Sequence, residues 1–372
     1  MKPIIFATIA AIVLLPGGSF AATDDDEAID EISVVATRRS TSVEEIPIAV
    51  GTVPGDAVIE RALVTDALAQ APGVSLQQTT PGQGAAIVRG LKGSALLHLV
   101  DGVRLSNAMF RTAPTPWFAL VPATSVDHIE VIRGTPASLY GSEAVGGVIQ
   151  SVSRMPRFES DTTDYAGDIV LGLDSANLQQ SLRLTVDAGT RELAASLSAE
   201  YVEQGNRRIG GGERVGPSGW SAWGARAVVH GRPTEDRRWF VDLHFLEQPE
   251  TPRFDELVPG FGQVEPSSDE FAFKPNRRIF AHVQHDQIAA NGIDWKIDAA
   301  WQRIVDDRTT RNFGADTRRF EDNRSDLYGL TVNASGDLGE IGWIAGVDLY
   351  YDEVRSARTE QDLVSNALTS RA

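Results

Sequence analysis

The chain has 372 residues, a formal net charge of −17, 42% apolar residues and no cysteine. So large an acid excess removes the basic face that nucleic acid calls for, and no nucleic-acid partner is expected. The absence of cysteine excludes disulfides, thiolate metal sites and a lipid-modified N-terminal cysteine.

Lys2, an apolar run from Ile4 to Leu15 and the small residues Ser19 and Ala21 have the layout of a secretory signal peptide over residues 1–21. Pro16-Gly17-Gly18 ends that run too early for a membrane-spanning helix, which needs about 20 apolar residues. Residues 22–42 begin acidic, with Asp24-Asp25-Asp26-Glu27, and read as an unfolded segment. Inside it, Asp30 to Thr37 alternates Ile32, Val34 and Ala36 against Glu31, Ser33 and Val35. Such a strand can add to the edge of a partner's sheet; a second reading makes it the first strand of the domain that follows.

Residues 43–155 read as a small α/β domain. Apolar residues at helical spacing (Ile59, Leu63, Leu68) predict a helix within Thr52 to Gln70, ending near Pro72-Gly73. Ala86-Ile87-Val88 and Leu96 to Val100 are short apolar runs expected to be buried strands. Arg89, Asp101, Glu130 and Arg133 are expected within such strands, and buried charges need partners; the bland reading leaves them on an exposed sheet face. Ser106 to Phe118 holds Phe110, Trp117 and Phe118 where a loop is normally polar, together with Asn107 and Arg111. Ile129 to Val152 (IEVIRGTPASLYGSEAVGGVIQSV) sets two β-branched strands around a centre with Gly134, Gly141, Gly146 and Gly147, so the backbone there must bend tightly.

The order of residues in that last run closely resembles the end of the plug domain of TonB-dependent outer-membrane receptors. Val88-Arg89-Gly90 and Leu99-Val100-Asp101-Gly102-Val103-Arg104-Leu105 match two further plug signatures in the same order, and Asp30 to Thr37 looks like a TonB box. The resemblance covers about Asp30 to Met155. It implies a small α/β plug inside a transmembrane antiparallel β-barrel of about 22 strands. It also implies energised import of a ferric siderophore, haem or cobalamin across the outer membrane of a Gram-negative cell, with no enzyme activity and no resident cofactor. Ile32, Val34 and Val35 would be captured by the TonB energy-coupling protein. Arg89, Glu130 and Arg133 would form charged contacts between plug and barrel. Asn107, Phe110, Arg111 and Trp117 would face the ligand, unless the aromatics pack against the barrel wall instead. His98, in the apolar LLHLV run, reads as an interior histidine.

Residues 156–372 change to strict alternation. Trp239, Val241, Leu243 and Phe245 share a face opposite Asp242, His244 and Gln248, and stretches around Leu182, Leu193, Trp223, Ile279, Trp295, Tyr328 and Trp343 repeat the pattern. One apolar and one polar face at a period of two is what a lipid-facing, water-lined barrel demands. Short turns (Gly189 to Glu192, Pro233 to Arg237, Asn291 to Asp294, Gly339 to Ile341) alternate with long polar stretches, Leu246 to Asn276 and Arg303 to Arg324, expected to be outer loops. Trp239, Trp295 and Trp343 each follow a short turn, as an interfacial girdle on the inner side requires. Roughly nine strands are expected after the plug, too few to close around it, so the sequence reads as the N-terminal portion of a longer receptor.

His282 and His285 make an HxxH pair, but residues three apart in a strand point to opposite faces and cannot share a metal. Neither a phosphate-binding GxxxxGK[ST] loop nor a GxSxG elbow occurs. The competing expectations are a passive porin-like or adhesive barrel, and a non-functional truncated product.

Overall fold

The computed structural model describes residues 32–33, 41–42 and 49–371, apart from 106–107, 110–115, 135–136, 142, 290 and 340. Strand β1 (Ile32–Ser33) pairs antiparallel with β2 (Thr41–Ser42). The plug follows as β3 (Ala49–Pro54), α1 (Gly55–Ile59), α2 (Val64–Ala67), β4 (Val74–Gln77), β5 (Ala85–Val88), β6 (Leu96–Val100), β7 (Val103–Arg104), β8 (Val126–Arg133), α3 (Ala137–Tyr140) and β9 (Gly147–Ser153). Its main sheet has the order β3-β8-β9-β6-β7, with β6 and β9 parallel and the other pairs antiparallel; β4 and β5 form a separate ribbon.

Strands β6 and β9 are covered on both faces, which is why LLHLV is a nearly continuous apolar run and why Gln150, Ser151 and Ser153 of GVIQSVS are buried as well. Leu68, Val88, Leu120, Ile129 and Ile149 meet in the plug core, all at or near zero exposure. Gly147 sits where a Cβ would lie 2.4 Å from the Ile132 carbonyl oxygen, so the strand pair closes only with glycine there.

The predicted helix over Thr52 to Gln70 is broken. Thr52 to Pro54 belong to β3, and the rest divides into α1, α2 and a final 3₁₀ turn at Leu68–Gln70. The break has a local cause: Asp66 accepts a hydrogen bond from the Leu63 N–H at 3.3 Å, which starts a new helix at Val64.

After the plug come β10 (Asp164–Asp174), β11 (Gln179–Gly189), β12 (Leu193–Gln204), the ribbon β13 (Arg207–Arg208) with β14 (Arg214–Val215), β15 (Trp220–Thr234), β16 (Arg237–Gln248), β17 (Thr251–Pro252), α4 (Phe254–Leu257), β18 (Ser268–Ile288), β19 (Asp294–Asn312), β20 (Thr317–Leu338), β21 (Ile341–Asp362) and β22 (Leu368–Arg371). Ten of these run β10-β11-β12-β15-β16-β18-β19-β20-β21-β22 as one antiparallel meander, with β17 attached beside β18. Nine were expected. Among the described residues the sheet is open, since β10 pairs with β11 alone.

The expected outer loop at Arg303 to Arg324 is largely strand instead, whereas Leu246 to Asn276 keeps a loop with α4 at its centre between the end of β16 and the start of β18. β18 to β21 are 19 to 22 residues long, about twice what a membrane crossing needs, so these hairpins continue beyond it. Polar sequence hid them because their pairing is ionic: Arg311 to Asp269 at 3.1 Å, Arg318 to Glu270 at 2.6 Å and Arg319 to Glu360 at 3.4 Å all cross between neighbouring strands or hairpins.

The alternation read from the sequence is real, and its sense is inverted relative to a soluble sheet. In β11, Arg183 and Asp187 are buried while Leu182, Leu184 and Val186 are exposed. The plug packs on the polar face. The apolar face is left for lipid.

Candidate functional site

The seam between plug and sheet is the candidate site. Its plug side is organised by two tight turns. Val88 and Leu91 exchange both backbone hydrogen bonds at 2.9 Å around Arg89 (φ 50°) and Gly90 (φ 82°). Val100-Asp101-Gly102-Val103 repeats the form, with φ of 49° and 85° at its centre. Two successive positive φ values make a type I′ turn, whose twist matches a β-hairpin. The second turn is stitched to β9: the Asp101 N–H donates to Ser151 O at 3.0 Å, and Asp101 Oδ1 accepts from the Ser153 N–H at 2.8 Å.

The wall side holds the plug mostly through its backbone. On β11, Arg183 donates to the carbonyls of Ile59 (2.6 Å) and Arg61 (2.5 Å) at the end of α1, where a cation suits the helix's partial negative charge. Glu200 on β12 accepts from the Thr124 N–H at 3.0 Å. Gln248 on β16 donates to Gly82 O, and Gln302 on β19 reaches Arg104 O and Leu105 O, both at 3.4 Å. Arg207 donates to Gln78 Oε1 at 2.9 Å.

The exit from the plug is clamped hardest. The Arg154 guanidinium is bidentate on Asp187 at 3.2 and 2.5 Å, while its carbonyl accepts from Arg226 Nη1 at 2.7 Å. Arg226 in turn chelates Asp242 through Nε and Nη2 at 2.9, 3.1 and 2.6 Å, and His244 Nε2 stands 3.0 Å from the same carboxylate. Next along the wall, the buried Arg278 donates through Nε to Gln302 Oε1 at 3.0 Å and lies 4.3 Å from the centre of the Phe280 ring. Arg154 and Arg226 survive near or in the interior because each has a carboxylate partner; Arg278 has only Gln302 and the Phe280 ring, and its two Nη atoms make no hydrogen bond among the described residues. A cavity of about 40 Å³ separates Gly102, Tyr140 and Gln150 of the plug from Lys296, Asp298 and Thr331 of the wall.

Residues 42–148 match the family model for the TonB-dependent Receptor Plug Domain. The vitamin B12 transporter BtuB of Photobacterium profundum is 33% identical over 170 residues, 45% of this chain and 27% of that protein. The iron-regulated outer membrane virulence protein of Vibrio cholerae is 30% identical over 165 residues, 42% of this chain and 24% of its own length. Among solved structures, the copper transporter OprC superposes with a TM-score of 0.72 at 17% identity, over 87% of this chain and 49% of that one. The unliganded ferric citrate transporter FecA gives 0.64 at 17%, over 86% and 50%. Residues 42–148 are a TonB-dependent receptor plug domain, and the chain as a whole is similar to TonB-dependent outer-membrane receptors. Its matches span about a quarter of the length of these two curated relatives and about half of those two structures.

Within this receptor, the residues singled out from sequence fall in different places. Glu130 is fully buried in β8 and lies 3.2 Å from His128 Nε2; His128 Nδ1 is 2.8 Å from Asp127 Oδ2. Burial alone would lower the His128 pKa, but the two carboxylates override it and raise it to about 9. Arg133 Nη1 donates to Pro72 O at 3.0 Å, also inside the plug. Arg89 is exposed on its turn. Trp117 does not face outward: it is 2% exposed in the plug core, because a large aromatic gains more from burial than from a wet loop surface. His98 is interior, 5.6 Å from the Phe118 ring, and burial lowers its pKa to about 4, keeping it neutral. His282 and His285 do lie on opposite faces, with His282 buried against Asp298 at 3.0 Å. Ile32 is in β1; Val34, Val35, Asn107, Phe110 and Arg111 lie outside the described residues.

Sequence reasoning missed Arg183, Glu200, Arg226, Gln248 and Gln302. All stand on the polar face of an alternating strand, which was visible. Their roles were not, since a partner that is a backbone carbonyl leaves no mark in sequence.

Proposed function

We propose that this protein imports a scarce nutrient of the cobalamin, ferric siderophore or haem class across the outer membrane, powered by the TonB energy-coupling protein. The observation that carries the reading is a small α/β plug held against the polar face of a membrane-type sheet by wall side chains that grip its backbone. Cobalamin is the first candidate, because relatives 33% and 44% identical over their aligned stretches are vitamin B12 transporters.

In this reading residues 1–21 direct export, 22–42 carry the coupling segment with Ile32, Val34 and Val35, 43–155 form the plug and 156–372 the barrel's N-terminal strands. Asn107, Phe110 and Arg111 are the ligand-side residues. Arg89 supports a plug-to-barrel role by its conformation: a left-handed arginine costs roughly 1–2 kcal/mol, a strain that persists where the side chain is used. Glu130 and Arg133 are proposed to take part in the same charged contacts as the plug moves.

The test is uptake of labelled cyanocobalamin, a ferric siderophore and haem by a receptor-null Gram-negative strain expressing the gene. One substrate should accumulate against its gradient. Ile32→Pro or Val34→Pro should abolish accumulation and leave binding to cells intact, because proline removes a ladder donor without touching the outer surface. Uptake that survives both substitutions and collapse of the proton-motive force would establish a passive barrel instead.

A further inference from the structure

Beyond β7 the plug leaves its own sheet and runs along the inside of the wall. The Leu105 N–H donates to His98 O at 2.9 Å, which closes β7 onto the plug. From there the partners change sides. Gln302 of β19 reaches the Arg104 and Leu105 carbonyls, and the Ala108 N–H donates to Asp352 Oδ2 on β21. The Arg104 guanidinium stands 5.5 Å from the centre of the Tyr350 ring, two residues before Asp352 on the same strand. Tyr350 and Asp352 therefore share one face of β21, about 7 Å apart, and they meet the plug segment in its own chain order.

Each half is prepared for the contact. On the plug side, Arg104 Nη2 donates to Tyr140 O at 2.5 Å and Nη1 to Glu143 Oε2 at 3.5 Å, so the start of the segment is tied to the plug's glycine-rich turn region. On the wall side, Ser325 Oγ of the neighbouring β20 donates to Asp352 Oδ1 at 2.6 Å, and Ser325 is buried. That bond fixes the carboxylate with its other oxygen on the Ala108 amide. An ionised acceptor makes a bond roughly twice as strong as a neutral one.

The place of this amide in the chain gives the contact its meaning. Asn107 precedes Ala108, and Phe110 and Arg111 follow it by two and three residues; these three are the proposed ligand-side residues. Ala108 is exposed and its side chain is only a methyl, so the hold on it is the backbone bond. A segment ordered before its ligand arrives loses less freedom on binding, and the affinity rises accordingly.

We propose that Asp352 is a positioning residue for ligand binding: the wall strand β21, through the Ala108 amide, sets where the plug's ligand-side residues stand and so how tightly the ligand is held. The proposal rests on the import function and the ligand-side assignment given above.

The test is equilibrium binding of cyanocobalamin to the detergent-purified receptor, paired with hydrogen exchange of the peptide that contains Ala108. Asp352→Ala should speed exchange at Ala108 and weaken binding about fivefold, the worth of one hydrogen bond. Asp352→Asn keeps an oxygen for the amide and should hold binding to within about twofold of the native receptor. In cells, Asp352→Ala should raise the KM for uptake and leave the maximal rate unchanged, because the coupling segment is untouched. A merely structural role would instead lower the amount of receptor and the maximal rate together. Glu353→Gln, on the opposite face of β21 with Tyr351, should change neither binding nor exchange.

If Asp352→Ala fails to reach the outer membrane, Ser325→Ala, which frees the carboxylate without removing it, should still weaken binding about twofold. Unchanged affinity in Asp352→Ala, or unchanged exchange at Ala108, would overturn the proposal. Failure of the native receptor to bind cyanocobalamin would defeat the cobalamin reading instead, and the exchange comparison alone would then decide whether Asp352 holds the amide.

Discussion

The plug and the sheet obey one burial rule with opposite outcomes. In the plug, Leu97, Leu99, Ile132 and Val148 face inward; Arg89 and Asp101 lie at turns, while Glu130 is buried in β8 beside His128. In the sheet, Leu184, Leu197 and Leu243 face out, and Arg183, Arg226 and Asp242 are the buried residues. What differs is the solvent each face must meet. The plug's apolar groups gain by leaving water, whereas lipid is as apolar as leucine and leaves only the polar face needing partners. A buried arginine is thus as natural on this wall as a buried leucine in the plug.

The comparison can be broken at its strongest point by removing one member of a buried ion pair. Asp242→Ala should destabilise the protein by about 3–5 kcal/mol, because the buried Arg226 loses its counter-charge; thermal unfolding in detergent measures this. Replacing Arg226 and Asp242 together by Met and Leu should recover much of the loss, and a double variant no better than Asp242→Ala would show that the pair itself is not what matters. On the opposite face, Leu243→Arg should cost about 2–4 kcal/mol if that residue meets the middle of a bilayer. A neutral result in lipid vesicles would mean the face is wet.

Within the plug, pH gives a finer probe. His128 has its pKa raised to about 9 by Asp127 and Glu130, above the ordinary 6.5. The charged form therefore adds stability that is complete below about pH 6.5 and is lost as pH rises through 9. The expected change is on the order of 3 kcal/mol, and His128→Gln should flatten it. Titration of the unfolding midpoint between pH 6 and 10 would show whether the slope exists. Smallest of all, Arg89→Gly should stabilise the plug by on the order of 1 kcal/mol, by relieving the left-handed strain. The same change should lower uptake if the side chain serves the barrel contact. Stabilisation with unchanged uptake would reduce Arg89 to a turn residue.

Legibility in the sequence followed the kind of partner each residue has. The Asp101-Gly102 turn was readable because a type I′ turn admits few residues at its two positive-φ positions, whereas Arg89-Gly90 was read as strand, since arginine gives no sign of the left-handed conformation it takes. Trp239, Trp295 and Trp343 were readable because period two and a nearby turn suffice to place them. The helix over Thr52 to Gln70 was misjudged since its apolar spacing could not reveal that Asp66 caps a second start at Val64. Arg303 to Arg324 looked like a loop because Arg311, Arg318 and Arg319 find their carboxylates on neighbouring strands, which composition does not show. Trp117 was placed at a surface by its loop-like neighbours, but its own area decided for the core.

The wall's hold on plug carbonyls and amides has a consequence for how such a receptor can change. Ile59 O, Arg61 O, Gly82 O, Leu105 O and the Thr124 N–H exist whatever side chains those positions carry. A wall that recognises a chain path rather than a sequence lets plug and barrel drift independently. A foreign plug with the same backbone trace should keep these contacts and would need only a few side chains in common, such as that of Arg154, which meets Asp187, to dock in this wall.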